Sequence, residues 1–407
     1  MEIDLLSPAS WADGHPHAQY DWLRENDPVH WHDEPGGRGF WAITRYEDVR
    51  QVSRTPQIFS SESGGVMIPD PDDISLASQR QMMLNMDDPR HLRFRRLVNM
   101  PFLPRNIGLL ESAVRTLATE IVDDVAEAGR CEFVGDLAGR MPSSLVGKLM
   151  GIPTEDALHL YDLTELMHSV AETDEDRARQ FAAIFEMLQY AGDTAARKRV
   201  EPGDDLMTQL VEAEVDGERL TDEEIRWFFL LLVNAGGDTT RNLLAAGLDL
   251  LFQNPSERAR LQADLDRLLP TAIEELLRST SPVAHFRRTA TQDTEIAGRP
   301  IAVGEKVVVW YGAANFDPTV FVEPTRVDVG RDPNPHLAFG GGGPHLCLGL
   351  HLARLEIHAM LREILTRLPD IRPDGEVERM RSNFIAGYHA MPVQFTPTDR
   401  TATAENG

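Results

Sequence analysis

The chain has 407 residues, 42% of them hydrophobic, so it can bury a large core, and a fibrous or disordered class is excluded. A formal charge of -25 excludes general affinity for nucleic acid, whose phosphates need a basic surface, and leaves any acidic partner to find a local patch. The only two cysteines, Cys131 and Cys347, exclude a disulfide framework and a four-cysteine zinc site.

No Pro- or Gly/Ser-rich linker, repeat or low-complexity block divides the sequence, which predicts a single domain over 1–397 followed by a flexible polar tail over 398–407. The first residues carry no basic segment followed by an apolar one, and no apolar run approaches the roughly eighteen residues of a membrane span, so a cytoplasmic location is expected.

In chain order, residues 35–60 combine turn glycines with Phe40, Trp41 and Ile43 and predict a strand, then a short helix. From about 88 to 270, apolar residues recur at three and four, predicting a succession of helices. Thr221 with Glu224 forms a capping box that opens a long helix running through WFFLLLVNAGGDTTRNLLAAGLDLLFQ. Residues 283–311 revert to strand character, with a turn at Ala297-Gly298-Arg299-Pro300, and the last helix follows Cys347. A closing β pair is expected around RSNFIAGYHAMPVQFTP, with Gly387 between its two apolar arms. The fold class is therefore mainly α with small β-sheets.

Two segments do not suit a purely structural reading. The apolar central helix carries Ala235-Gly236-Gly237-Asp238-Thr239-Thr240, where each glycine costs about 1 kcal/mol relative to alanine and a buried Asp needs a partner. Either the glycines kink the helix and the threonine hydroxyls satisfy freed carbonyls, or the segment is functional. The second segment, His336 to Arg354, contains a four-glycine run in a loop that ends on Cys347 and lacks the lysine of a phosphate-binding loop. Immediately before a helix, a cysteine feels unpaired backbone N–H groups and the positive end of the dipole, which favour a thiolate. Gly349 leaves room for a flat group to lie near the backbone.

With the Glu275-Leu-Leu-Arg278 pair and the Arg288-Thr-Ala segment, these motifs fall in the order of the cytochrome P450 superfamily, which the sequence closely resembles over nearly its whole length. The resemblance implies a triangular helical prism with a long central helix and a cysteine loop under haem. It implies haem b with Cys347 as the iron ligand, and O2 as co-substrate. His91, Arg95, Arg288 and His345 would bind the haem propionates. Gly236, Gly349 and Phe339 would border the cofactor. Thr239 would hold the reacting oxygen and an ordered water, and Asp238, facing a solvent channel, would relay protons. Glu275 and Arg278 would form a buried structural ion pair.

By family position, the substrate would meet Val66, Met67, Met82 and Met83, then Met167, Phe181 and Phe185, then Val233, Asn234 and Ala235, then Val283, His285 and Phe286, and finally the Ile385-Ala386 turn. Ferredoxin and ferredoxin reductase would supply electrons through a basic patch of Arg90, Arg93, Arg96, Arg105 and Arg354.

The family loop has seven steps from its Phe to its Cys, whereas Phe339 to Cys347 is eight, with a fourth glycine. The extra residue resembles actinobacterial enzymes that hydroxylate steroid side chains and methyl-branched lipids at or near the terminus, as do GFWAITRYEDVRQVSR, NMDDPRHLRFRRLV and RSNFIAG. A terpenoid or polyketide-tailoring oxidase is the alternative within enzymes. A haem-based sensor or hydrophobe-binding protein is the alternative outside them, and the Asp238-Thr239 pair speaks against it.

Overall fold

The computed structural model describes residues 1–168, 173–215 and 217–401. The elements that place the site are α1 (Arg90–Val98), α2 (Glu111–Ala126), α3 (Arg140–Met150), α4 (Thr154–His168), α5 (Asp174–Val200), α6 (Asp222–Gln253), α7 (Leu265–Thr280) and α8 (Leu350–Arg367). Among the described residues, no helix is long and apolar enough to cross a membrane.

Helix α6 spans 32 residues, so it is roughly 48 Å long. Its start is fixed by the capping box: the Glu224 N–H donates to Thr221 Oγ1 at 3.1 Å and the Thr221 N–H donates to Glu224 Oε2 at 2.9 Å. It packs against α3, α4, α5, α7 and α8. Its first half, Ile225 to Val233, belongs to one apolar core shared with α3, α4 and α5. Its second half, Leu243 to Leu251, belongs to another shared with α2, α7 and α8. The acid-alcohol segment lies at the seam between the two cores, where side chains of α6 have no continuous apolar partner. The helix stays α-helical through both glycines, so they do not break it. Gly237 instead permits a close approach: a Cβ there would stand 3.1 Å from the Tyr161 ring of α4.

At one side lies a five-stranded sheet of β1 (Val29–His32), β2 (Phe40–Ile43), β3 (Phe59–Ser60), β4 (His285–Ala290) and β5 (Lys306–Trp310), in the order β1-β2-β5-β4-β3. Strand β5 runs parallel to β2, with Val307 opposite Trp41, and antiparallel to β4, with Val307 opposite Arg288. The turn at Ala297-Gly298 has positive φ at both residues and joins a short hairpin.

The expected closing hairpin does not form. Tyr388–Ala390 pairs with Glu378–Arg379, whereas Pro392–Gln394 pairs with Arg130–Glu132 and Arg372–Pro373. Gly387 is small because α6 passes beside it: an added Cβ would lie 2.5 Å from Asn242 Oδ1, which accepts the Tyr388 N–H at 3.0 Å. The start of the expected free tail is also tied down, since Thr398 N–H donates to the Ala126 carbonyl and Thr401 N–H to Asp123 Oδ1 of α2. Residues 402–407 lie outside the described residues.

Candidate active site

The seam in α6 opens onto a cavity whose empty space, open side included, is about 1520 Å³. Cys347, Leu348 and Gly349 line it beside the start of α8, and Ala235, Gly236, Thr239 and Thr240 line it from α6. Positive φ at Gly340, Gly342 and Gly343 lets the loop double back, so that the Cys347 N–H donates to the Phe339 carbonyl at 3.0 Å. Phe339 itself lines the cavity, with the Arg354 guanidinium 4.6 Å from its ring centre. A Cβ built on Gly349 would meet nothing within 4 Å.

Helix α8 begins at Gly349 without a side-chain cap. The helix terminus does not by itself make Cys347 a thiolate. Burial pushes its pKa up, outweighing the Gly349 backbone N–H bond and the charges of Arg95 and Arg354.

Four basic side chains border the same space. His91, Arg95 and His345 line the cavity, and the His91 and His345 ring centres are 4.2 Å apart. Arg288 is buried beside them and its charge acts on His345. Among the described residues, neither Arg95 nor Arg288 has a salt-bridge partner, and His91 Nδ1 has no hydrogen bond, its nearest carboxylate being Asp88 at 3.6 Å. A buried cation such as Arg288, left without a counter-charge, is costly. This donor set fits an anionic ligand bearing carboxylates, and the sulfur opposite the open floor at Gly349 fits a flat metal-bearing one. The residues thus suit haem.

The other predicted positions divide cleanly. Met83, Ala235, Val283 and Phe286 line the cavity. Val66 and Met67 are drawn to the sheet instead, where the Arg287 N–H donates to the Val66 carbonyl at 2.8 Å and its guanidinium to the Met67 carbonyl at 3.4 Å. Met82 and Met167 pack against the core of α3 to α6. Val233 is buried on the opposite side of α6, because two residues of helix turn it about 200° from Ala235; Asn234, one residue from Ala235, does not line the cavity either. His285 is buried against Trp310, with Nδ1 2.8 Å from the Asn383 carbonyl. Ile385 bridges to Val283 without reaching the space, and Ala386 donates its N–H to the Pro282 carbonyl. Phe181 and Phe185 are 67% and 69% exposed on α5. Asp238 is 3% exposed, next to Arg241 at 3.4 Å, so it does not face open solvent.

Residues unforeseen from sequence supply much of the lining. Phe228, Leu231 and Leu232 line the cavity one and two turns before Ala235, and stepping back by three and four along the helix would have found them. Glu356 of α8 also lines it. Its signal was an acid placed between Leu352 and Met360, both buried, at i−4 and i+4. Burial pushes its pKa up to about 8, and its Oε2 has no hydrogen-bond partner.

Glu356 is therefore neutral in the fold at pH 7 and ionised in the unfolded chain. Folding takes up a proton, so stability should fall as pH rises from the ordinary 4.5 toward about 8. Glu356→Gln should raise stability at pH 7 by about 3 kcal/mol and flatten that dependence. Denaturant midpoints of both haem-loaded proteins across this range test it, and parallel curves refute it.

Glu275 and Arg278 of α7 are both fully buried. Arg278 donates through Nε and Nη2 to the two Glu275 oxygens at 2.8 Å, and through Nη1 to the Asn315 and Pro324 carbonyls at 2.9 Å. Glu275 also accepts from the Asp328 N–H, Arg331 and Asn334, so one carboxylate ties α7 to the segment that feeds the loop.

Sequence comparison agrees with this geometry: residues 154–383 match the Cytochrome P450 family. The chain is a cytochrome P450. A "Methyl-branched lipid omega-hydroxylase" of Mycobacterium tuberculosis is 41% identical over 367 residues, 88% of this chain and 85% of the relative. A "Steroid C26-monooxygenase" of Mycolicibacterium smegmatis is 34% identical over 391 residues, 94% of this chain and 91% of the relative. A solved cytochrome P450 of Mycobacterium marinum in complex with pseudoionone superposes with a TM-score of 0.90 at 39% identity, covering 97% of this chain and 99% of that one. The fold and the family expected from the sequence are both established, and this cytochrome P450 is a monooxygenase.

Proposed function

We propose that the protein hydroxylates a steroid side chain or a methyl-branched lipid at or near its end, using haem b. The observation that carries this reading is the cavity: a large apolar space with Cys347 on one side and Thr239 on another. The two relatives named for such lipids support it. Bound haem supplies oxygen activation, and Cys347 would hold its iron while His91, Arg95, Arg288 and His345 hold its carboxylates.

The remaining work belongs to the chain. Phe228, Leu231, Leu232, Val283 and Phe286 exclude water and orient the substrate, each buried CH₂ contributing about 0.8 kcal/mol. Thr239 Oγ1 donates to the Ala235 carbonyl at 2.8 Å and presents its oxygen to the cavity. It would hold a water there, and Asp238 would pass it protons.

Electrons come from an acidic ferredoxin and its reductase, docking on a smaller basic patch than the sequence suggests. Arg93 is paired with Glu218 and Glu224, Arg354 with Glu274, and Arg90 donates to the Arg80 carbonyl and Gln81. Arg96 and Arg105 remain exposed without a carboxylate partner among the described residues.

A matched spectral titration of ferric protein tests the substrate class. Cholestenone or a branched fatty ester should bind more tightly than a monoterpene and give the fuller high-spin shift. Full conversion by monoterpenes or macrolides, with sterols and branched lipids silent, would replace this reading with the terpenoid or polyketide alternative. Thr239→Ala should leave that titration nearly unchanged while diverting most reducing equivalents to peroxide, because the hydroxyl acts only after oxygen has bound. The ratio of product to electron donor consumed measures it, and unchanged coupling refutes the role of Thr239.

A further inference from the structure

On the side of α6 facing away from the cysteine cavity, Asp238 has two neighbours that the reaction described so far does not use, Arg241 and Tyr161. Arg241, one turn beyond Asp238 and 3.4 Å from its carboxylate, lies over the ring of Tyr161 at 5.4 Å. Tyr161 comes from α4, and its hydroxyl is buried with no hydrogen-bond partner. The charges of Asp238 and Arg241 both act on that hydroxyl, which burial keeps protonated.

Two glycines from different elements make room for the one phenol. A Cβ on Gly237 would touch the ring at 3.1 Å, and one on Gly139 would stand 3.3 Å from the hydroxyl. Beside it lies a small, mostly apolar cavity of about 240 Å³, open side included, in whose lining Tyr161 and Ser143 supply the polar side chains. A buried hydroxyl left unbonded costs free energy that phenylalanine would not, so core packing alone does not account for tyrosine. A water in the adjoining cavity would satisfy it.

We propose that Tyr161 is a positioning residue for proton delivery to Asp238. Its hydroxyl holds the water through which the carboxylate regains a proton, and its ring keeps Arg241 against that carboxylate. A proton passes from solvent to the held water, then to an Asp238 oxygen, then toward Thr239 and the main cavity; no electrons move on this path. The proposal rests on the relay role of Asp238 given above.

The test uses full-length, haem-loaded protein turning over cholestenone or the branched fatty ester, whichever gives the fuller spin shift, with a surrogate ferredoxin and its reductase. Tyr161→Phe removes only the oxygen. It should lower the product rate about 3- to 10-fold and enlarge the solvent deuterium isotope effect, with thermal stability unchanged or raised. Asp238→Asn should do the same or more, and the double variant should be no slower than Asp238→Asn alone. A rate and isotope effect unchanged in Tyr161→Phe, with Asp238→Asn slow, overturns the proposal and leaves the relay standing. Losses that multiply in the double variant also overturn it, because the two residues would then act separately. If Asp238→Asn is itself silent, the relay reading fails and this one with it.

Discussion

Cys347→Ser is expected to abolish the red-shifted band of the ferrous carbon monoxide complex and all donor-driven hydroxylation, whereas Cys131→Ser should retain both. The two thiols differ in what surrounds them. Cys347 opens on a cavity bordered by Arg95 and His91, and it receives the Gly349 N–H. Cys131 sits in a strand opposite Val393, packed against the core of α2, α6, α7 and α8, and burial pushes its pKa up to about 12. Asp136 and Glu132 raise it further, so no thiolate forms there at neutral pH. Serine keeps the size of the Cys347 side chain and removes the sulfur, so the fold should survive while thiolate ligation does not. Persistence of the band in Cys347→Ser would remove this residue from the iron.

How far the sequence could be read depended on whether a signal was local. The capping box at Thr221 and Glu224 lies within one turn, and it opens α6 where the sequence places it. The glycines before Cys347 specify a loop because several must take positive φ, and that requirement is written in residue type. Misreadings concern partners distant in sequence. Gly387 looks like a hairpin turn, but it is small because Asn242, far earlier in the chain, passes beside it. The five arginines of the expected basic patch carry no sign of their partners in the sequence, yet Glu218, Glu224 and Glu274 neutralise two of them across the fold. Phe181 and Phe185 show why a helix face cannot be chosen from hydrophobicity alone, for the apolar pair points outward. Asp238 lies on α6 as the sequence places it, yet its side chain is buried beside Arg241 instead of facing a solvent channel.

Glu275→Ala is expected to destabilise the protein by about 3–5 kcal/mol and to yield mostly haem-free chain, although Glu275 does not line the cavity. The carboxylate is fully buried and accepts from Arg278, Arg331, Asn334 and the Asp328 N–H. Removing it strands the Arg278 guanidinium at 0% exposure, with the Asn315 and Pro324 carbonyls, Ser279 and the Phe316 and Phe321 rings as its remaining partners. The stretch from Asp328 to Asn334 then loses the three bonds by which Glu275 ties it to α7, just before the loop that positions Phe339 and Cys347. Its neighbour Glu274 supplies the control. Glu274 holds Arg354 and His336 in a half-buried setting, with a pKa lowered to about 2 that burial opposes and those two partners bring about. Glu274→Ala should cost only about 1 kcal/mol, because water can replace the lost bonds. Thermal midpoints, together with the fraction of purified chain that shows the thiolate band, separate the two acids. Equal losses in both variants would mean that burial at Glu275 carries no special weight, and that haem retention depends on the loop alone.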